Sequence, residues 1–123
     1  MNETETFLMA SKTHRSVPAS ELAPMFLKWG VKEAVIITLG GEGLVVATAS
    51  GASGHVPARK VKVVDTTAAG DTFVGAYAVQ RAMHEGKPSS FDYKSALDFA
   101  TGAAAKSVER EGAMAAIPYL SEL

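Results

Sequence analysis

Two short runs rich in β-branched residues, 35–39 and 44–48, flank Gly40-Gly41-Glu42-Gly43. Runs of this length and chemistry read as strands, and a glycine-rich turn between them makes them antiparallel neighbours. Such a hairpin must cover its apolar face, and the helical patterns on either side can supply the cover. Asn2 followed three residues later by Glu5 is a helix-start pattern, with Phe7, Leu8 and Met9 behind it as an apolar face. The polar stretch 11–16 reads as a loop. Pro18 then opens a second helix carrying Leu22, Met25, Phe26, Leu27 and Trp29, and Gly30 is its stop.

Beyond the hairpin, a Gly/Ser-rich bend over 50–54 leads to extended pieces near His55-Val56 and over 60–64. After Gly70 the period becomes helical, with Phe73, Ala76, Tyr77, Val79 and Met83 on one face until Gly86-Lys87-Pro88. A last long helix from about Asp92 carries Tyr93, Ala96, Leu97, Ala100, Ala103, Ala104 and Val108, with Gly112 as its end and Pro118 marking a final turn. The expectation is an α/β fold, and 123 residues with no composition shift read as one domain.

Composition closes off several function classes. A net charge of -1 leaves no basic footprint for nucleic acid, and no apolar run is long enough to span a bilayer. Zero cysteines exclude a disulfide framework, a thiolate nucleophile and Cys-based zinc sites. The acidic start Met1-Asn2-Glu3-Thr4-Glu5 is unlike a secretory signal. Cytoplasm is the expected compartment, with the nucleus open for a eukaryotic chain. No nucleic-acid or membrane partner is expected, and homo-oligomerisation stays open.

The chemistry-bearing segment is Asp65-Thr66-Thr67-Ala68-Ala69-Gly70-Asp71, read as a turn between a strand over 61–64 and a helix from Gly70. That arrangement aims unpaired amides at one spot, and the small side chains of Ala68, Ala69 and Gly70 let an anion approach the backbone. A carboxylate at Asp71 repels a bound phosphate, which points to a task such as accepting a proton from an attacking hydroxyl. Spacing alone gives equal standing to Asp71 as an ordinary acid in a helix first turn. No P-loop pattern occurs, so any nucleotide phosphate is held by another architecture.

The run 65–73 closely resembles the signature D-T-x-G-A-G-D of the ribokinase-like (PfkB-family) carbohydrate kinases. Three more segments match in order: Asn2-Glu3-Thr4-Glu5 is similar to the family's N-x-x-E, Thr38-Leu39-Gly40-Gly41-Glu42-Gly43 to its T-L-G-x-x-G turn, and Glu111-Gly112-Ala113 to its late cation and nucleotide loop. The resemblance implies the C-terminal part of a three-layer α/β/α fold, with the hairpin at about 35–48, that transfers the γ-phosphoryl group of ATP to a sugar hydroxyl. D-ribose is the expected acceptor. By position in the signature, Asp71 matches the base, and the amides of Ala68, Ala69, Gly70 and Asp71 match the anion hole. Asn2 and Glu5 match the pair that organises Mg2+ and phosphate through water, while Thr38, Gly40 and Gly43 match the turn beside the nucleotide. Asp65 and the carbonyls of Thr67, Ser107, Arg110 and Gly112 match a K+ site, although Ala116 stands where the family has a hydroxyl.

Each match has a plainer alternative in the residues themselves: a capping box at Asn2/Glu5, a hairpin turn at Gly40 and Gly43, a turn-capping carboxylate at Asp65. His14, His55 and His84 lack metal spacing and read as solvated, as do Glu109, Arg110 and Glu111. Trp29 reads as a core or interface aromatic. The family's sugar pocket, Gly-Gly hinge and lid precede N-x-x-E, so the expectation is a nucleotide-side portion with the sugar half absent, inactive by itself. A non-catalytic nucleotide-binding module and a non-functional fragment are the alternatives.

Overall fold

The computed structural model describes residues 1–10, 17–84 and 91–123, so the loop expected over 11–16 and the stop expected at Gly86-Lys87-Pro88 lie outside the described residues. Two units arise from the chain, Met1–Ala58 and Arg59–Leu123, although no composition shift marks a boundary.

In the first unit the expected hairpin forms as β1 (Ala34–Thr38) and β2 (Leu44–Thr48), antiparallel, and β3 (Ser53–Val56) adds a third antiparallel strand beside β2. The register sets Val35 opposite Ala47 and Ile37 opposite Val45, which gathers four apolar side chains on one face. Two helices, α1 (Glu3–Met9) and α2 (Ala19–Lys28), accompany the sheet, and α2 adds Leu22, Ala23 and Phe26 to the same buried cluster. Leu22 and Ile37 keep no exposed surface, and burial of each contributes about 2 kcal/mol. Pro18, at φ −64°, is the residue before α2, and Gly30 follows its end at φ +116°. Trp29 caps that end half exposed, meeting Phe26 edge to face with ring centroids 5.0 Å apart, and so is less buried than its type implies.

The second unit pairs α3 (Ala69–Met83) with α4 (Tyr93–Ser107). Asp92 caps α4: its Oδ1 accepts from the amides of Lys94 and Ser95, and its Oδ2 from the Ser95 hydroxyl at 2.6 Å. Ala96, Leu97, Ala100 and Ala103 on α4 are buried, as the small-residue face predicts. Phe91, which the periodicity leaves unremarked, is a hub here. Tyr77, Tyr93 and His84 meet its ring edge to face, and Arg81 lies over it at 5.0 Å.

Three expectations are corrected. Residues 61–64 form no ladder, because a strand needs a partner as well as β-branched residues; the Val64 amide instead donates to the Val108 carbonyl at 2.7 Å. Helix α4 ends at Ser107, and Gly112, at φ +101°, turns the loop that follows. The apolar face drawn on α3 splits: Phe73 is buried while Val79 and Met83 are exposed.

Glycine is required at only one position of the hairpin turn. Gly40 (φ +57°) faces open space, whereas a Cβ on Gly43 (φ +97°) would collide with the Val56 carbonyl and stand 2.6 Å from the Ala58 amide. His55, on β3 rather than in a loop, braces the turn, its Nε2 lying 2.8 Å from the Glu42 carbonyl. Gly43→Ala is therefore expected to destabilise the protein by about 2 kcal/mol or more in urea unfolding, while Gly40→Asn, whose side chain tolerates the left-handed region, costs less than about 1 kcal/mol.

Candidate active site

On the first unit, Met1 and Asn2 lie alongside the end of β1: the Thr38 amide donates to the Met1 carbonyl at 3.0 Å, and Asn2 bridges Thr38 in parallel register. Asn2, Glu5 and Thr38 are thus neighbours at the end of β1 that leads into Gly40. The capping box is complete. Asn2 Oδ1 accepts from the Glu5 amide, and Glu5 Oε2 accepts from the Asn2 amide, both at 2.8 Å. This leaves Glu5 Oε1 and the Asn2 carboxamide N–H groups without a described partner on an exposed surface, so capping and water-mediated metal contact are compatible in one residue pair. Thr6, fully buried, donates its hydroxyl to the Asn2 carbonyl at 2.7 Å and fixes the entry to α1.

On the second unit, Asp65 organises the turn into α3. Its Oδ1 accepts from the Thr67 amide at 2.9 Å and the Thr67 hydroxyl at 2.6 Å, and its Oδ2 from the Gly112 amide at 2.9 Å. These donors, the Thr67 hydroxyl first, hold the Asp65 carboxyl at about 2, below its ordinary 3.8. The Val108 carbonyl accepts from both Val64 and Asp65, joining the turn to the end of α4 a second time. No side-chain signal marks that contact, because it is made by backbone alone.

Helix α3 then begins with Ala68 buried and Gly70 and Asp71 exposed. Of the four amides that the signature assigns to an anion hole, Ala69 closes a 3.2 Å turn onto the Thr66 carbonyl. The amides of Ala68, Gly70 and Asp71 carry no acceptor among the described residues, and a Cβ on Gly70 would meet nothing within 4 Å. An anion can therefore reach the helix end from Gly70's side, where the peptide dipoles favour negative charge. The Asp71 carboxylate, free of described donors, can accept a proton.

Ser107 closes α4, and Arg110 and Gly112 follow in the loop after it. The Ser107 carbonyl already accepts from the Arg110 amide at 3.3 Å, and Ala116, with no exposed surface, offers no oxygen. Arg110 is not simply solvated: its guanidinium forks onto Glu122, whose Oε2 also accepts from the Tyr119 amide at 2.7 Å. No cluster of three metal-ligating side chains occurs among the described residues.

The pfkB family carbohydrate kinase model matches residues 1–120. The chain belongs to that family. Ribokinase of Staphylococcus aureus is 41% identical over 123 residues, covering 99% of this chain and 38% of the relative. Ribokinase of Thermotoga maritima superposes with a TM-score of 0.81 at 41% identity, covering 98% of this chain and 38% of that one. Arabidopsis thaliana ribokinase, solved with ribose and ATP, gives a TM-score of 0.73 at 32% identity, covering 95% and 36%. This pfkB-family chain thus spans well under half the length of the relatives that it matches. Among its described residues no helix is long and apolar enough to cross a membrane.

The Asp65 tie has a pH signature. A carboxylate whose folded value lies below its unfolded one stabilises the fold above about pH 4, and that contribution fades as pH falls toward about 2. Asp65→Ala is expected to melt below the parent protein near neutral pH, with the gap narrowing between about pH 4 and about pH 2 when followed by circular dichroism.

Proposed function

We propose that this chain is the ATP-binding, base-bearing portion of a sugar kinase that phosphorylates D-ribose at a primary hydroxyl to give ribose 5-phosphate. The observation that carries the reading is the start of α3. There, three amides without described acceptors accompany an exposed carboxylate at Asp71 that no described donor engages. Phosphoryl transfer needs positioning and charge stabilisation more than covalent chemistry, and this pairing offers both. Ribose as the acceptor is supported by the names of the relatives and by the ribose held in the Arabidopsis structure.

In this reading ATP with Mg2+ supplies the phosphoryl group and neutralises its charge when bound. Asp71 takes the proton from the sugar hydroxyl, and the amides of Ala68, Gly70 and Asp71 receive charge that builds on the transferring group. Glu5, through Oε1, and Asn2 order water around the metal, while in the Thr38–Gly43 turn Gly40, which faces open space, lets the backbone approach the nucleotide. Asp65 works as the clamp that holds Thr67 to Gly112. Potassium ligation by Asp65 with the carbonyls of Thr67, Ser107, Arg110 and Gly112 is a weaker proposal, since Ala116 supplies no oxygen. The chain alone is expected to bind nucleotide with little turnover, in the cytoplasm, because the resemblance puts the sugar pocket outside the matched region. Without a positioned hydroxyl the base has little to act on.

The test uses two contexts. MgATP should bind the chain by calorimetry, and Asp71→Asn should leave that affinity within about threefold, since the carboxylate repels phosphate more than it holds it. In a chimera where this chain replaces the matching region of the S. aureus ribokinase, Asp71→Asn should lower kcat for ribose by about 10²- to 10⁴-fold. Absence of MgATP binding, or a chimera indifferent to Asp71→Asn, would sink the reading. Binding without any turnover in the chimera favours a nucleotide-binding module.

A further inference from the structure

The loop that leaves α4 is fastened at its two ends by backbone and by Asp65. At the near end the Val108 carbonyl accepts from the amides of Val64 and Asp65, and at the far end the Gly112 amide donates to Asp65 Oδ2 at 2.9 Å. Between these ties the backbone makes two long turn bonds, Glu109 amide to Lys106 carbonyl and Arg110 amide to Ser107 carbonyl, both at 3.3 Å. The Glu111 amide has no acceptor among the described residues. The Lys106–Glu109 ion pair, 3.7 Å and exposed, adds little, because water screens it. By itself the middle of the loop is loosely held.

The Arg110 side chain supplies the missing tie. Its guanidinium forks onto both oxygens of Glu122, which lies in the one-turn helix Leu120–Glu122. The two side chains are 38% and 29% exposed, so water screens this pair only in part, and the fork fixes its geometry. Glu122 is anchored in turn: its amide donates to the Tyr119 carbonyl at 2.9 Å, and its Oε2 accepts from the Tyr119 amide at 2.7 Å. These donors, Arg110 first, hold its carboxyl below the ordinary 4.5. Between the two partners the chain turns back through Met114–Ala116, where Ala116 keeps no exposed surface. Two carboxylates, Asp65 and Glu122, therefore grip the loop 108–112 at different points.

We propose that Glu122 is a positioning residue of the candidate site: through the Arg110 guanidinium it fixes the loop 108–112 and so keeps the Gly112 amide on Asp65, the carboxylate that shapes the turn into α3. Neither Arg110 nor Glu122 touches the nucleotide with its side chain. They order the backbone beside which the nucleotide would lie. The consequence for MgATP rests on the function proposed above, whereas the consequence for the loop does not.

The experiment uses this chain. Glu122→Gln keeps an oxygen for the Tyr119 amide but removes the charge, and Arg110→Gln removes the fork from the other end. In each variant the Gly112 amide should exchange with deuterium about three- to tenfold faster by NMR, while the amides of Ala100 and Ala103 inside α4 keep the parent rate. MgATP affinity, followed by calorimetry, should weaken by a similar factor. The double variant should be no worse than the more damaging single one, since both remove one interaction. Arg110→Lys, which keeps the charge without the fork, should fall between parent and Arg110→Gln. Unchanged exchange at Gly112 would overturn the proposal, as would equal acceleration inside α4, which marks loosening of the whole unit, or additive losses in the double variant. A loosened Gly112 with MgATP affinity unmoved would also overturn it, by cutting the link between loop and site. If the parent chain binds no MgATP, the kinase reading fails while the exchange rates still decide the role of Glu122, so the two can fail separately.

Discussion

The carboxylate of Asp65 makes contacts with residues 2 and 47 positions away in the chain, and the second unit depends on both. One oxygen shapes the turn at Thr67 that leads into α3; the other captures the Gly112 amide, in the loop after α4. An anion this close to a helix N-terminus would compete with any phosphate for the same field, were its charge left open. Here two amides and a hydroxyl absorb it. The amides of Ala68, Gly70 and Asp71 are left to whatever approaches from solvent, and the family's signature begins with the residue that makes this arrangement hold.

Local chemistry was legible wherever a single residue carries it. The Asn2/Glu5 box, the Gly40-Gly43 turn, the Asp92 start of α4 and the glycine after α2 all follow from side-chain type and spacing. The β-branched runs and the glycine turn between them also marked β1 and β2 as antiparallel neighbours, while their register is legible only in the structure. What escaped was pairing at a distance. Nothing in residues 61–64 distinguishes a strand from a segment without a ladder that meets only the Val108 carbonyl, since the deciding partner is elsewhere in the chain. Gly112 was read as a helix stop because glycine is the usual one; the helix ends five residues earlier, and the glycine's positive φ serves the loop held by Asp65.

The candidate site shows the same division. Asp71 and Gly70 stand out by type and position, yet the role of Ala69 is altered by a backbone turn to Thr66 that no composition reveals. Arg110 looked like a solvated helix end until the Glu122 carboxylate, 12 residues on, met its guanidinium. Phe91 was invisible to helical periodicity because it lies just before α4, although three rings and a guanidinium gather around it. Side chains whose importance comes from contacts outside their own element leave no periodic trace.

That aromatic gathering has an optical consequence. Tyr77, Tyr93 and Tyr119 are the chain's only tyrosines and all belong to the second unit, whereas Trp29, its only tryptophan, belongs to the first and packs on Phe26. Two of the tyrosines sit edge to face on Phe91, a chiral setting that gives them near-ultraviolet dichroism while the second unit is folded. Selective excitation of the indole reads the first unit alone. One sample of unlabelled protein therefore carries an independent spectroscopic channel for each half, and the coincidence or separation of the two melting curves reveals whether the halves unfold as a single cooperative body.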